Sequence, residues 1–85
     1  MTAPLTDAEI RTAFLEELTR VAPDLAPEEI GESDHLQDDL EIDSMDFLTL
    51  VSALHKRLGV DIPEAEYPRI ATLRKAAAYL AERLA

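Results

Sequence analysis

Apolar side chains in this 85-residue chain recur three times at the spacing of one helix face, and no segment alternates as a half-buried strand does. The first set is Ile10, Phe14, Leu15, Leu18 and Val21. The second is Phe47, Leu50, Val51, Leu54 and Leu58, and the third is Leu73, Ala76, Ala77, Leu80 and Leu84. Each set has local signals at its ends. Thr6 and Glu9 stand at capping-box spacing before the first helix, which should run from Asp7 to Val21 and end before Pro23. Asp43 is a good N-cap for the second helix, and Gly59 suits its C-terminal left-handed residue. Thr72 caps the third. Val60–Pro63 reads as extended, because a residue before proline avoids the helical region, and Glu64–Tyr67 reads as a single turn stopped by Pro68. The expectation is an all-α fold: a small bundle of three main helices and one short helix, with a long loop over residues 22–43. Leu25, Ile30, Leu36 and Leu40 are spaced along that loop as anchors to the core. At 85 residues the chain is read as one domain, residues 1–85, since domains run from about 50 to 250 residues.

Charge excludes several function classes. The net charge is −10, and between Val21 and His55 there are ten acids and no Lys or Arg. Nucleic acid would be repelled by such a surface, whereas a protein with a basic patch would be steered towards it. There are no cysteines for disulfides or thiolate metal sites, and His35 and His55 have no zinc-ligand spacing. No apolar run approaches the roughly 20 residues of a membrane span. Met1–Pro4 has neither the basic segment nor the apolar core of a leader, so a cytoplasmic location is expected.

The densest chemistry lies at Asp39-Leu40-Glu41-Ile42-Asp43-Ser44-Met45-Asp46. Ser44 stands where the second apolar stripe begins, flanked by carboxylates and with no histidine in register. A nucleophilic serine needs a base and an oxyanion site, so this environment suits a serine that is modified rather than one that attacks. Enzymatic activity is therefore not expected. Met45 and Leu48 lie three apart on the side of the helix that the stripe leaves to solvent. Ringed by Asp39, Glu41, Asp43 and Asp46, that pair reads as a partner-docking patch. Asp39, Glu41 and Asp43 also fall at positions 1, 3 and 5 of a calcium loop. Ser44 then replaces its glycine and Leu50 its bidentate glutamate, so no metal site is expected.

From Ile10 to Leu80 the chain resembles the acyl carrier proteins. The likeness rests on Asp43-Ser44-Met45-Asp46 opening a helix after a long acidic loop, and on Asp61-Ile62-Pro63-Glu64 after that helix. The resemblance implies the four-helix bundle of that family and a covalent 4′-phosphopantetheine on Ser44, added from coenzyme A by a phosphopantetheinyl transferase. Its thiol would hold acyl intermediates as thioesters for fatty acid, polyketide or related specialised biosynthesis, and the protein would be a monomeric carrier. By the same resemblance Asp43 would assist the transferase reaction. Met45, Asp46, Leu48, Asp39 and Glu41 would meet partners, and Ile62, Tyr67 and Ile70 would line an acyl pocket. Acyl-activating, ketosynthase, acyltransferase and thioesterase-type enzymes with basic patches are the implied partners. Three departures from the housekeeping pattern point to a specialised member. Glu41-Ile42 replaces a small pair, Thr49 replaces an acid, and His55-Lys56-Arg57 makes the far end of the second helix basic. An aminoacyl or peptidyl carrier, or an acidic interaction module never modified at Ser44, are the alternatives.

Overall fold

The computed structural model describes residues 5–84; the leader-free reading of Met1–Pro4 concerns residues outside that range. Its helices are α1 (Asp7–Val21), α2 (Ser44–Leu58) and α3 (Leu73–Leu84), with short 3-10 helices at Pro27–Glu29 and Glu64–Ile70. The cap chemistry explains the boundaries. The Glu9 N–H donates to the Thr6 hydroxyl at 3.1 Å while the Thr6 N–H donates to the Glu9 carboxylate at 2.9 Å, so two otherwise unpaired amides satisfy each other's side chains. Asp43 accepts from the Asp46 N–H at 2.7 Å, and the Thr72 hydroxyl accepts from the Lys75 N–H at 3.2 Å. Gly59 closes α2 at φ 70°, a left-handed conformation in which a Cβ would be strained.

The three stripes meet as the spacing predicts. Phe14 and Leu18 of α1, Leu50 and Leu54 of α2, and Leu80 of α3 are fully buried in one core. Helix α1 packs against both α2 and α3, and the second 3-10 helix packs against α3. Of the four loop anchors, Ile30 and Leu36 are buried, while Leu25 and Leu40 are partly buried against the core. Ile42 joins them as a buried anchor that the spacing did not single out. The loop is also tied by its backbone. The Leu36 N–H donates to the Ala71 carbonyl at 2.9 Å, the Ile42 N–H to the Leu36 carbonyl at 3.0 Å, and the Arg74 N–H to the Glu32 carbonyl at 3.0 Å. The 22–43 segment is therefore a fixed wall of the domain, not a free connector.

Three features go beyond the sequence reading. Pro68 does not stop the fourth helix, which continues to Ile70. Proline's fixed φ is compatible with helical backbone, and in this short 3-10 segment the missing N–H removes one bond without ending the turn. Tyr79 is buried, held between the guanidinium groups of Arg69 and Arg83 at 4.8 and 5.0 Å from the ring centroid. Burial and then the adjacent Glu66 carboxylate push its phenol above the ordinary tyrosine range.

The third is Glu17, a charged residue only 3 % exposed inside α1. It bonds Arg57 of α2 at 2.8 Å and Arg20 at 3.1 Å, and Arg57 also takes Glu16 at 2.6 Å. Burying a carboxylate is tolerable only with such partners. Arg57 is thus engaged in clamping α2 to α1, so the basic far end expected for α2 is partly neutralised by Glu16 and Glu17. Replacing Glu17 by Ala removes two charge-assisted bonds and strands part of that network. Urea unfolding should show a loss of about 1.5–3 kcal/mol at unchanged m-value, with a much smaller loss for exposed Glu16→Ala.

Candidate functional site

The path into α2 decides how Ser44 is presented. Ile42 turns inward to the core, Asp43 takes the extended N-cap conformation, and Ser44 emerges as the first residue of α2 with its side chain exposed. To bring Ile42 in and Ser44 out, Glu41 adopts φ 59°, the one positive φ at a non-glycine residue among the described residues. The left-handed region costs a residue with a Cβ about 1–2 kcal/mol. Glycine would adopt it without that cost. Here the strain is retained beside the serine.

Ser44 borders a cleft of about 500 Å³ between the loop, α2, the second 3-10 helix and α3. Buried Leu36, Phe47 and Ala71 form its floor. Tyr67 stands edge-on to Phe47, with ring centroids 5.2 Å apart and planes at 67°, so the aromatic wall is held by packing. Of the three residues expected to line an acyl pocket, only Tyr67 reaches this cleft. Ile62 and Ile70 are buried in the core and do not border it. His35, Gln37, Glu64 and Lys75 also border it, and none of them was assigned to the site from the sequence. No spacing in the sequence could have shown this, because an isolated bridge from His35 to Thr72 brings the loop to the start of α3.

His35 does not make Ser44 a nucleophile. Its Nδ1 accepts the Asp38 N–H at 3.2 Å, and no hydrogen bond joins it to Ser44 among the described residues. A serine activated for attack needs that contact within about 2.6–3.2 Å. The arrangement presents a hydroxyl to an outside reagent.

On α2 beside Ser44, Met45 is 77 % exposed and Leu48 50 % exposed, two large apolar side chains on the solvent face. The acids around them divide by task. Asp39 accepts the His35 N–H at 2.7 Å, Asp34 accepts the Gly31 N–H at 2.8 Å, and Asp43 caps α2. Glu32 is paired with Arg11 and, at 3.5 Å, with Arg74, so it ties the loop to α1 and α3. Its Arg11 partner above all, then Arg74, hold its carboxyl below the usual glutamate range. Glu41 and Asp46 hold no ion pair among the described residues and leave negative charge around Met45 and Leu48. No helix in the structure is long and apolar enough to cross a membrane among the described residues.

A helical domain that exposes a helix-opening serine between an acidic apolar patch and a small cleft belongs to the class of modifiable carrier domains. Comparison with known proteins agrees: residues 8–80 match the family described as "Phosphopantetheine attachment site". The chain is 43 % identical over 68 residues to an acyl carrier protein of Streptomyces coelicolor, covering 80 % of this chain and 74 % of that one. It is 36 % identical over 59 residues to an acyl carrier protein of Zymomonas mobilis, covering 69 % and 76 %. A third similarity, 40 % identity over 68 residues, covers 80 % of this chain but 2 % of the 5-methylorsellinic acid synthase of Aspergillus terreus. The chain belongs to the acyl carrier protein family. It is a carrier of covalent 4′-phosphopantetheine, not a catalyst, and works with a transferase and synthase-type enzymes.

Two substitutions test this account of the site's frame. Glu41→Gly relieves the left-handed strain at the expense of a more flexible unfolded chain, so it should raise stability by about 0.5–1 kcal/mol in denaturant unfolding. Glu32 has a native pKa below its unfolded one, so it contributes stability above the unfolded value that disappears as pH falls through the native value. The stability gap between the parent and Glu32→Gln should therefore be widest at neutral pH and close on acidification, as read from unfolding curves across a pH series.

Proposed function

We propose that Ser44 is the attachment point of the phosphopantetheine and that residues 1–85 act as one carrier domain. The observation that carries this is the placement of its exposed hydroxyl at the start of α2, unpartnered among the described residues and at the edge of the cleft. The residues fit the group. First-turn amides of a helix favour an attached phosphodiester, which offsets the neighbouring carboxylates. Asp43 spends Oδ1 on the Asp46 N–H and keeps Oδ2 outside that cap bond, free to serve the transferase's coenzyme A-bound magnesium. In the transfer, the Ser44 oxygen gives up its proton and bonds the phosphorus of coenzyme A's pantetheine half, and the nucleotide half leaves. The group, once bound, supplies a terminal thiol that holds an acyl chain as a thioester.

The chain's own residues then divide the work. Met45 and Leu48 provide the apolar centre of a docking patch, and Asp46 with Glu41 and Asp39 provides its charged rim. Partners with basic patches meet that rim, including the transferase and acyl-activating, ketosynthase, acyltransferase or thioesterase-type enzymes. The domain works as a monomer in the cytoplasm. The cleft beside Tyr67 receives the acyl chain between encounters.

The experiment is intact mass after incubation with coenzyme A, magnesium and a broad-specificity phosphopantetheinyl transferase. The parent should gain one phosphopantetheinyl group and Ser44→Ala none. A folded parent that gains nothing, or a Ser44→Ala variant that still gains the group, would overturn the assignment.

A further inference from the structure

The polar groups bordering the cleft share one property: most of them offer hydrogens and lack a partner. His35 Nδ1 accepts the Asp38 N–H, which leaves Nε2 as the ring's donor. Gln37 offers a side-chain amide, Tyr67 a hydroxyl and Lys75 an ammonium, all at the same cleft. None of these four groups donates to another described side chain or carbonyl. All six arginines hold ion pairs, whereas the two lysines, Lys56 and Lys75, hold none among the described residues, and of the two only Lys75 borders this cleft. Glu64 is the one acceptor-only side chain on this border.

A cleft with a buried apolar floor and a donor-rich border discriminates among acyl chains. A saturated chain covers the floor but displaces water from His35, Gln37, Tyr67 and Lys75 without replacing its hydrogen bonds, which loses affinity. A chain with carbonyl oxygens at intervals satisfies those donors and still covers Leu36 and Phe47. Lys75 is the strongest of the four, because a charged donor makes the stronger bond. We infer that the cleft selects an oxygenated cargo, an acyl chain bearing keto groups, with Lys75 and Gln37 as the specificity-determining donors. This rests on the Ser44 reading, since the cargo reaches the cleft only from an arm attached at its edge.

The test loads the full chain with coenzyme A analogues that hold hexanoyl or 3,5-dioxohexanoyl through a stable amide. Mass spectrometry first reports whether transfer has occurred. Absence of transfer sinks the Ser44 assignment and this inference with it; everything after loading concerns the cargo alone. Amide resonances of Leu36, Gln37, Ala71 and Lys75 are then compared with those of the protein carrying the bare arm. The diketo chain should shift them more than hexanoyl does. Lys75→Met together with Gln37→Leu should abolish that extra shift, and Lys75→Arg alone, which keeps a cationic donor, should retain it. Dispersion of the same spectra reports that each variant is folded. Equal shifts from both chains, or an extra shift that survives the double substitution, would overturn the inference.

Discussion

Leu36 is the residue on which the functional end depends. Its side chain is fully buried and forms part of the cleft floor, its N–H reaches Ala71, and its carbonyl takes the Ile42 N–H. One residue thereby fastens the loop to the turn before α3 and sets where the chain begins its approach to Ser44. Backbone groups buried in this way need partners, and here the partners are supplied by elements distant in sequence. Without that fastening the acidic loop would have few apolar contacts to offset its ordering, and Ser44 would not stand at a cleft at all.

Charge is arranged in two layers around that frame. Carboxylates that hold the fold together face cations: Glu17 lies under Arg57 and Glu32 between Arg11 and Arg74, while Asp39 serves both ends, bonding the His35 N–H and standing in the rim. Glu41 and Asp46 have no such obligation and surround the exposed Met45 and Leu48. A count of acids along the chain treats these groups alike. Their tertiary partners separate the ones that stabilise from the ones left for encounter with another protein, and exposed charges of the second kind govern association rate more than tightness.

The helices were legible because their information is local. A capping box at Thr6, an N-cap at Asp43 and a left-handed glycine at position 59 act within a few residues of themselves, and the apolar stripes add a strict period. Ser44 and the Met45–Leu48 face were legible for the same reason, since both follow from position on α2. The cleft was not. Lys75 comes from α3, Tyr67 from the 3-10 helix and His35 from the loop, and only tertiary packing brings them beside Ser44. Ile62 and Ile70 are buried in the core and border no part of the cleft, a placement that their position in the chain does not reveal. Glu17 was hidden because a charged residue normally marks a solvent face, and Arg57, its partner across the helix interface, lies 40 residues away.

The two tyrosines occupy opposite kinds of place. Tyr79 is sealed between Arg69 and Arg83, whereas Tyr67 is half-buried at the cleft, and the chain has no tryptophan. Tyrosine absorption and emission in this protein therefore come from one ring that a visitor to the cleft can touch and one that it cannot. The molecule carries its own optical gauge, with a built-in reference, for the arrival and departure of whatever lies against Phe47.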